Sequence, residues 1–93
     1  MELRFTNSFK TDRDFYSDQD EFFRQLAGKI KEIQRAGSMD EVSGLERIRG
    51  RDVYYRFKIK SGRTVYRVGI KALHQKVWFT LIDTYKKRFY KRV

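Results

Sequence analysis

Residues Val53–Ile70 read VYYRFKIKSGRTVYRVGI. Polar and apolar side chains alternate on both sides of Ser61-Gly62, which predicts a β-hairpin closed by a short glycine-containing turn. A two-residue loop at 61–62 sets Lys60 opposite Arg63, Ile59 opposite Thr64, Lys58 opposite Val65, Phe57 opposite Tyr66, Arg56 opposite Arg67 and Tyr55 opposite Val68. Successive side chains of a strand point to opposite faces. One face then carries Val53, Tyr55, Phe57 and Ile59 with Thr64, Tyr66, Val68 and Ile70, and must be buried. The other carries Tyr54, Arg56, Lys58 and Lys60 with Arg63, Val65, Arg67 and Gly69, which amounts to five cations and no acid. The pairs Lys60–Arg63 and Arg56–Arg67 place like charges directly opposite, which destabilises a sheet. A face built against that repulsion suits an anionic partner. The alternative is a solvated face that keeps the protein soluble.

The charge of the rest of the chain is consistent with this. The net charge is +10 over 93 residues. Residues 1–44 hold seven Lys/Arg against nine Asp/Glu, a net −2, whereas residues 45–93 hold fifteen against three, a net +12. Such concentration points to nucleic acid, an acidic protein or an anionic membrane surface. The basic half reads as strands and not as a basic amphipathic helix, which argues against the membrane. Length supports one domain over residues 1–93 with one core. The sequence has no Cys, so a disulfide, a thiol nucleophile and a Cys-type zinc site are excluded. That fits a reducing cytoplasm. No apolar run reaches membrane-spanning length, and the first ten residues lack a signal-peptide core.

Outward from the hairpin, Glu2–Thr6 predicts a short first strand with Leu3 and Phe5 on one side. Asn7-Ser8 predicts the cap of a short helix over Phe9–Phe15, anchored by Phe9 and Phe15. Asp18–Ala36 predicts the clearest helix. Ser17 and Asp20 have the spacing of a capping box, and Phe22, Leu26, Ile30 and Ile33, widened by Phe23 and Ala27, form its apolar stripe. Gly37 stops it. Ser38–Gly50 is a connector with a helical turn at Met39–Val42 and anchors at Leu45 and Ile48. Lys71–Gln75 predicts a turn. Lys76–Asp83 predicts a strand apolar on both sides, with Val77, Phe79 and Leu81 on one and Trp78 and Ile82 on the other. The tail Thr84–Val93 holds five cations and three aromatics, with its conformation left open.

Familiar catalytic patterns are missing. His74 is the one histidine, and it falls in a predicted turn. The acids show no metal-binding spacing, and the glycines form no phosphate-binding loop or dinucleotide fingerprint. What remains is a cationic sheet with aromatics beside a cationic tail. Arg and Lys can hold a phosphate and stabilise its transition-state charge, and Tyr can stack on an unpaired base. Such a surface could cleave RNA without a metal, using the substrate's own 2′-hydroxyl as nucleophile. Repulsion from Arg56, Lys60 and Arg63 makes Lys58 a possible base. Phosphate binding without chemistry is the plainer reading.

Three segments, GLERIRG (Gly44–Gly50), YYRFKIKSGRTVYRV (Tyr54–Val68) and KKRFYKRV (Lys86–Val93), resemble the connector, hairpin and closing stretch of the RelE/ParE superfamily of type II toxin–antitoxin toxins. The resemblance implies an α+β, RelE-like fold: a short N-terminal strand and two helices packed on an antiparallel sheet of about four strands. It further implies a ribosome-dependent, metal-independent mRNA endonuclease that inhibits translation in the cytoplasm, with no small-molecule cofactor. Its partners would be mRNA on the ribosome and a cognate antitoxin. By position, Lys58, Arg63, Lys86 and Tyr90 fall at the family's catalytic places, with Lys87 or Arg88 substituting for Lys86 if the register slips. Tyr54, Arg56, Lys60, Arg67, Lys87 and Arg88 complete the nucleic-acid surface. Two positions depart from the family: Arg56 stands where a Lys is usual, and Lys86 where an Arg is usual. Arg is a poor base, so proton transfer would fall more heavily on Lys58 or Tyr90. A ParE-type gyrase inhibitor and a non-catalytic or degenerate nucleic-acid binder are the competing readings, since fold does not settle function.

Overall fold

The alternation in residues 53–70 forms the centre of a five-stranded sheet. A computed structural model describes residues 1–93. Its elements run β1 (Glu2–Phe5), α1 (Asn7–Phe15), α2 (Asp20–Arg35), a 3-10 turn (Met39–Glu41), β2 (Glu46–Arg47), β3 (Tyr54–Ser61), β4 (Thr64–Leu73), β5 (Lys76–Asp83) and α3 (Lys86–Arg92). The sheet order is β1-β5-β4-β3-β2. The expected four strands become five, because Glu46 and Arg47 of the connector pair with Arg56 and Tyr55. The sheet is not wholly antiparallel either, since β1 runs parallel to β5, with Glu2 opposite Lys76.

The turn lies one residue further on than its predicted place. Ser61 pairs with Thr64, so Gly62 and Arg63 form the loop. Gly62 has φ +61° while Arg63 keeps a negative φ, the pattern of a type II′ hairpin, which wants glycine first. The shift moves each partner by two, so the strand residues keep their faces, Arg63 leaves the sheet for the loop and the opposed pairs change. Lys60–Arg63 and Arg56–Arg67 do not form. Instead Lys58 faces Arg67, Arg56 faces Gly69 and Lys60 faces Val65. Strand β4 then continues to Leu73, and the predicted five-residue turn shrinks to His74-Gln75, both at positive φ.

Helices α1 and α2 cover the apolar face. Phe9, Phe22, Leu26 and Ile33 meet Phe57, Ile59, Tyr66, Val68, Ile70, Val77, Phe79 and Ile82 in the main core. Burying each large side chain contributes roughly 1.5–3 kcal/mol. The cap of α1 is Thr6 and not Asn7 or Ser8. Its hydroxyl accepts from the Phe9 N–H at 3.1 Å and donates to the Thr80 carbonyl at 2.9 Å, tying the helix start to β5. Phe15, expected as an anchor, is 79% exposed. Ser17 caps nothing, because α2 begins only at Asp20 with Gln19 as its cap residue and no side-chain cap bond. Ala27 stays exposed, outside the buried stripe. The far end of α2 is fixed to the connector through Glu32. Its carboxylate accepts from Lys29 Nζ and from the Ser43 N–H, each at 2.8 Å, which holds it down at about 2.

An irregularity in β5 makes a second, smaller core on the opposite face. Ile70 pairs with Phe79, but Gly69 pairs with Leu81, leaving Thr80 as an extra residue. A bulge of this kind resets the alternation. Leu81 therefore joins Ile48 and Phe89 on the outer face, while Ile82 turns into the main core. This reverses the expected sides of Leu81 and Ile82. The tail, left open by the sequence, is the helix α3, and its buried Phe89 sits over Gly69. A Cβ added at Gly69 would lie 3.0 Å from Thr80 Oγ1 and 3.4 Å from both Leu81 Cγ and the Phe89 ring. Gly69→Val is therefore expected to lower unfolding free energy by about 1–3 kcal/mol in urea titration. Unchanged stability in that variant would show that α3 does not rest on this glycine.

Candidate nucleic-acid interface

The outer face of β3 and β4 carries Tyr54, Arg56, Lys58 and Lys60 beside Val65, Arg67 and Gly69, as the alternation requires. Lys58 and Lys60 are exposed, and neither they nor Arg63, Arg67, Lys86 and Lys87 pair with a carboxylate. Arg63 stands at the hairpin tip, on neither strand, so it is further from Lys60 in register than expected. Lys86 and Tyr90 are four apart on α3, hence on one side of that helix. Tyr90 reaches the sheet: Arg56 Nε donates to its hydroxyl oxygen at 2.7 Å. The structure thus joins the hairpin to the tail at Arg56 and Tyr90.

Three of the residues expected to bind nucleic acid are already engaged. Arg56 also donates from Nη2 to Glu46 at 2.6 Å, and its side chain is only 13% exposed. Tyr54 is flanked by the Arg51 guanidinium at 4.4 Å and by Lys71 Nζ at 5.9 Å from the ring centre. Arg88 makes a bidentate pair with Asp83, through Nε at 2.7 Å and Nη2 at 2.8 Å. The contributions of Glu46 and Asp83 were not anticipated from sequence. For Asp83 a signal existed: it is a lone acid closing an apolar strand, followed by arginines five and nine residues later.

Asp83 is 1% exposed. Its Oδ1 accepts from Arg88 and from the Tyr85 N–H at 2.9 Å, and its Oδ2 accepts from Arg88 and from Arg92 Nη1 at 3.0 Å. Arg92 continues to Asp12 at 2.7 Å, and Asp12 also accepts from the Ile82 N–H at 2.9 Å, beyond the end of β1 where the edge of β5 is otherwise open. This carboxylate network therefore fixes both ends of α3 and the last turn of α1. Arg67, the cross-strand neighbour of Asp83, gets none of its acceptor positions. Arg67 Nε is buried and has no acceptor in the chain.

Arg67 lines an open groove with Thr84, Tyr85, Lys86 and Lys87. A more enclosed cavity of about 270 Å³ lies at the other end of α3, lined by Thr6, Ser8, Tyr54, Thr80, Leu81, Arg92 and Val93. Its cation, Arg92, is committed to Asp12 and Asp83. The groove at Arg67 has unpaired charge and this cavity does not. No cluster of His, Cys, Asp and Glu is arranged to hold a metal ion.

Burial raises the affinity of Asp83 for a proton, but the Arg88 bonds, the Tyr85 N–H and Arg92 outweigh it and hold the carboxyl down at about 2. A carboxylate depressed on folding stabilises the fold above its unfolded value, and that contribution is lost as pH falls through the folded value. Asp83→Asn is expected to cost about 2 kcal/mol at neutral pH and to flatten the loss of stability between about pH 4 and pH 2. Glu32 titrates in the same range and leaves a residual slope in both proteins. Equal slopes in denaturant titrations across that window would refute the assignment.

No protein-family model matches the sequence. No curated protein matches it either. Among solved structures, the fold is similar to that of a chain from the RelB–RelE antitoxin–toxin complex of Methanococcus jannaschii. The TM-score is 0.71 and the sequence identity 23%, over 95% of this chain and 95% of that one. It is also similar to YafQ from E. coli strain BL21(DE3), with a TM-score of 0.71 and 11% identity over 95% of this chain and 97% of that one. At these identities the likeness is one of architecture, and the chain has the RelE-like α+β fold that its hairpin and closing segments implied.

Proposed function

We propose that residues 1–93 form one toxin domain of a type II toxin–antitoxin pair, acting in the cytoplasm as a ribosome-dependent mRNA endonuclease. The observation that supports this best is the set of unpaired cations on one sheet face, with Tyr90 brought beside them by α3. Lys58, Arg67, Lys86 and Lys87 are free to hold a phosphodiester and the charge that develops on it. In metal-independent cleavage the 2′-oxygen attacks the adjacent phosphorus and loses its proton to a base. The P–O5′ bond breaks and the 5′-oxygen gains a proton. The products are a 2′,3′-cyclic phosphate and a 5′-hydroxyl. Lys58 is the candidate base and Arg63 a phosphate contact at the hairpin tip. The Arg56 N–H occupies a lone pair of the Tyr90 hydroxyl, which leaves the phenolic proton free for the departing 5′-oxygen.

An antitoxin with an acidic segment fits the same unpaired cations and would neutralise the face electrostatically. Gyrase inhibition of the ParE type is the second reading. It is favoured by the Arg56–Glu46 pair, which ties up the residue standing where the family usually has a catalytic Lys. Induced expression with mapping of mRNA 5′ ends separates the two. The proposal expects growth arrest with new 5′-hydroxyl ends in translated messages, lowered roughly 10²–10⁴-fold by Lys58→Ala. Growth arrest without new ends would favour gyrase, and no arrest would favour a binder that has lost the activity.

A further inference from the structure

We infer that Tyr85 is a stacking platform for an unpaired base, next to a phosphate subsite formed by Arg67, Lys86 and Lys87, so that the groove takes single-stranded nucleic acid. This deepens the RNA reading of the same face and names its ligand geometry. Tyr85 is 67% exposed, so most of this large ring faces solvent. Its position is nevertheless fixed. Its backbone N–H donates to Asp83, and its ring lies 5.2 Å from the Arg88 guanidinium, which the same carboxylate holds in a bidentate pair. One buried group thus holds both the backbone beneath the ring and the cation beside it, lowering the ordering cost of binding.

The adjoining groove has a separate reason to take an anion. Arg67 stands between Lys58 on β3 and Asp83 on β5. All the acceptor positions of Asp83 that face the chain are used by Arg88, Arg92 and Tyr85, so Arg67 Nε stays buried without an acceptor. The terminal nitrogens of Arg67 are not buried and make no hydrogen bond or ion pair within the chain, so they are the ones open to a charge-assisted bond from an external anion in the groove. Lys86 and Lys87 line the same groove as Arg67 and Tyr85. A phosphate on the cations with a neighbouring base on the ring is the arrangement of single-strand binders. A duplex keeps its bases stacked on one another and cannot offer one to the ring.

Fluorescence anisotropy with the full chain and a labelled RNA hexamer tests this without ribosomes or cleavage. The wild type is expected to prefer the hexamer to an abasic ribose-phosphate chain of equal length, and to prefer it to duplex RNA. Tyr85→Ala should weaken hexamer binding roughly 5- to 100-fold while leaving abasic-chain binding unchanged, and Tyr85→Phe should retain the wild-type preference. Arg67→Gln should weaken both ligands and reduce the salt slope by about 1. Unchanged hexamer affinity in Tyr85→Ala, or equal wild-type affinity for the hexamer, the abasic chain and the duplex, overturns the inference. A chain that passes this assay yet leaves cellular messages intact keeps the stacking site and loses the endonuclease reading. The converse outcome does the reverse.

Discussion

The buried carboxylate of Asp83 governs how the C-terminal quarter of this protein is arranged. A charge in that position is tolerated only when its oxygens are well bonded, and here two arginines and a backbone N–H meet the need. The seven-residue α3 is too short to persist alone. Its place comes from Asp83 together with Phe89 over Gly69. From that placement follow the Arg56–Tyr90 contact, the groove at Arg67 and the position of Tyr85 beside it. The residue that organises the basic face is therefore one of its few acids.

Two kinds of cation share that face. Arg56, Arg88 and Arg92 are structural, each spent on Glu46, Asp83 or Asp12. Lys58, Lys60, Arg63, Arg67, Lys86 and Lys87 have no such partner. The excess of positive charge survives folding because the second half of the chain has only three acids to offer. Two of them, Glu46 and Asp83, are used to build the scaffold and not to neutralise the groove.

Much of this was legible in residues 53–70. Period-two alternation assigns faces whatever the register, so Phe57, Ile59, Tyr66 and Val68 were placed inward and Lys58 and Arg67 outward correctly. The opposed pairs were not, because they depend on which two residues make the turn, and glycine prefers the first turn position where 61–62 put it second. Leu81 and Ile82 were assigned to the wrong sides because no pattern in KVWFTLID announces the bulge at Thr80. The β2 strand was missed because two residues carry no periodicity. The roles of Glu46 and Asp83 depend on contacts between residues ten or fewer apart in sequence but set by the sheet, and composition alone is silent about them. Phe15 failed as an anchor since α1 turns its last residue to solvent.

Strand β1 borders β5, so residues 2–5 find their backbone partners in residues 75–79. Strand β1 therefore stays unpaired until the distant β5 is available. Non-local pairing of this kind is slow and leaves an edge exposed to other chains meanwhile. The hairpin β3–β4 can close as soon as it emerges, but β5, whose far end carries Asp83, must be made before the sheet is complete and α3 can dock. Folding thus forms the basic surface of the hairpin early and the carboxylate network that orders α3 late, so any activity that needs Tyr90 in place waits for the whole sheet to close.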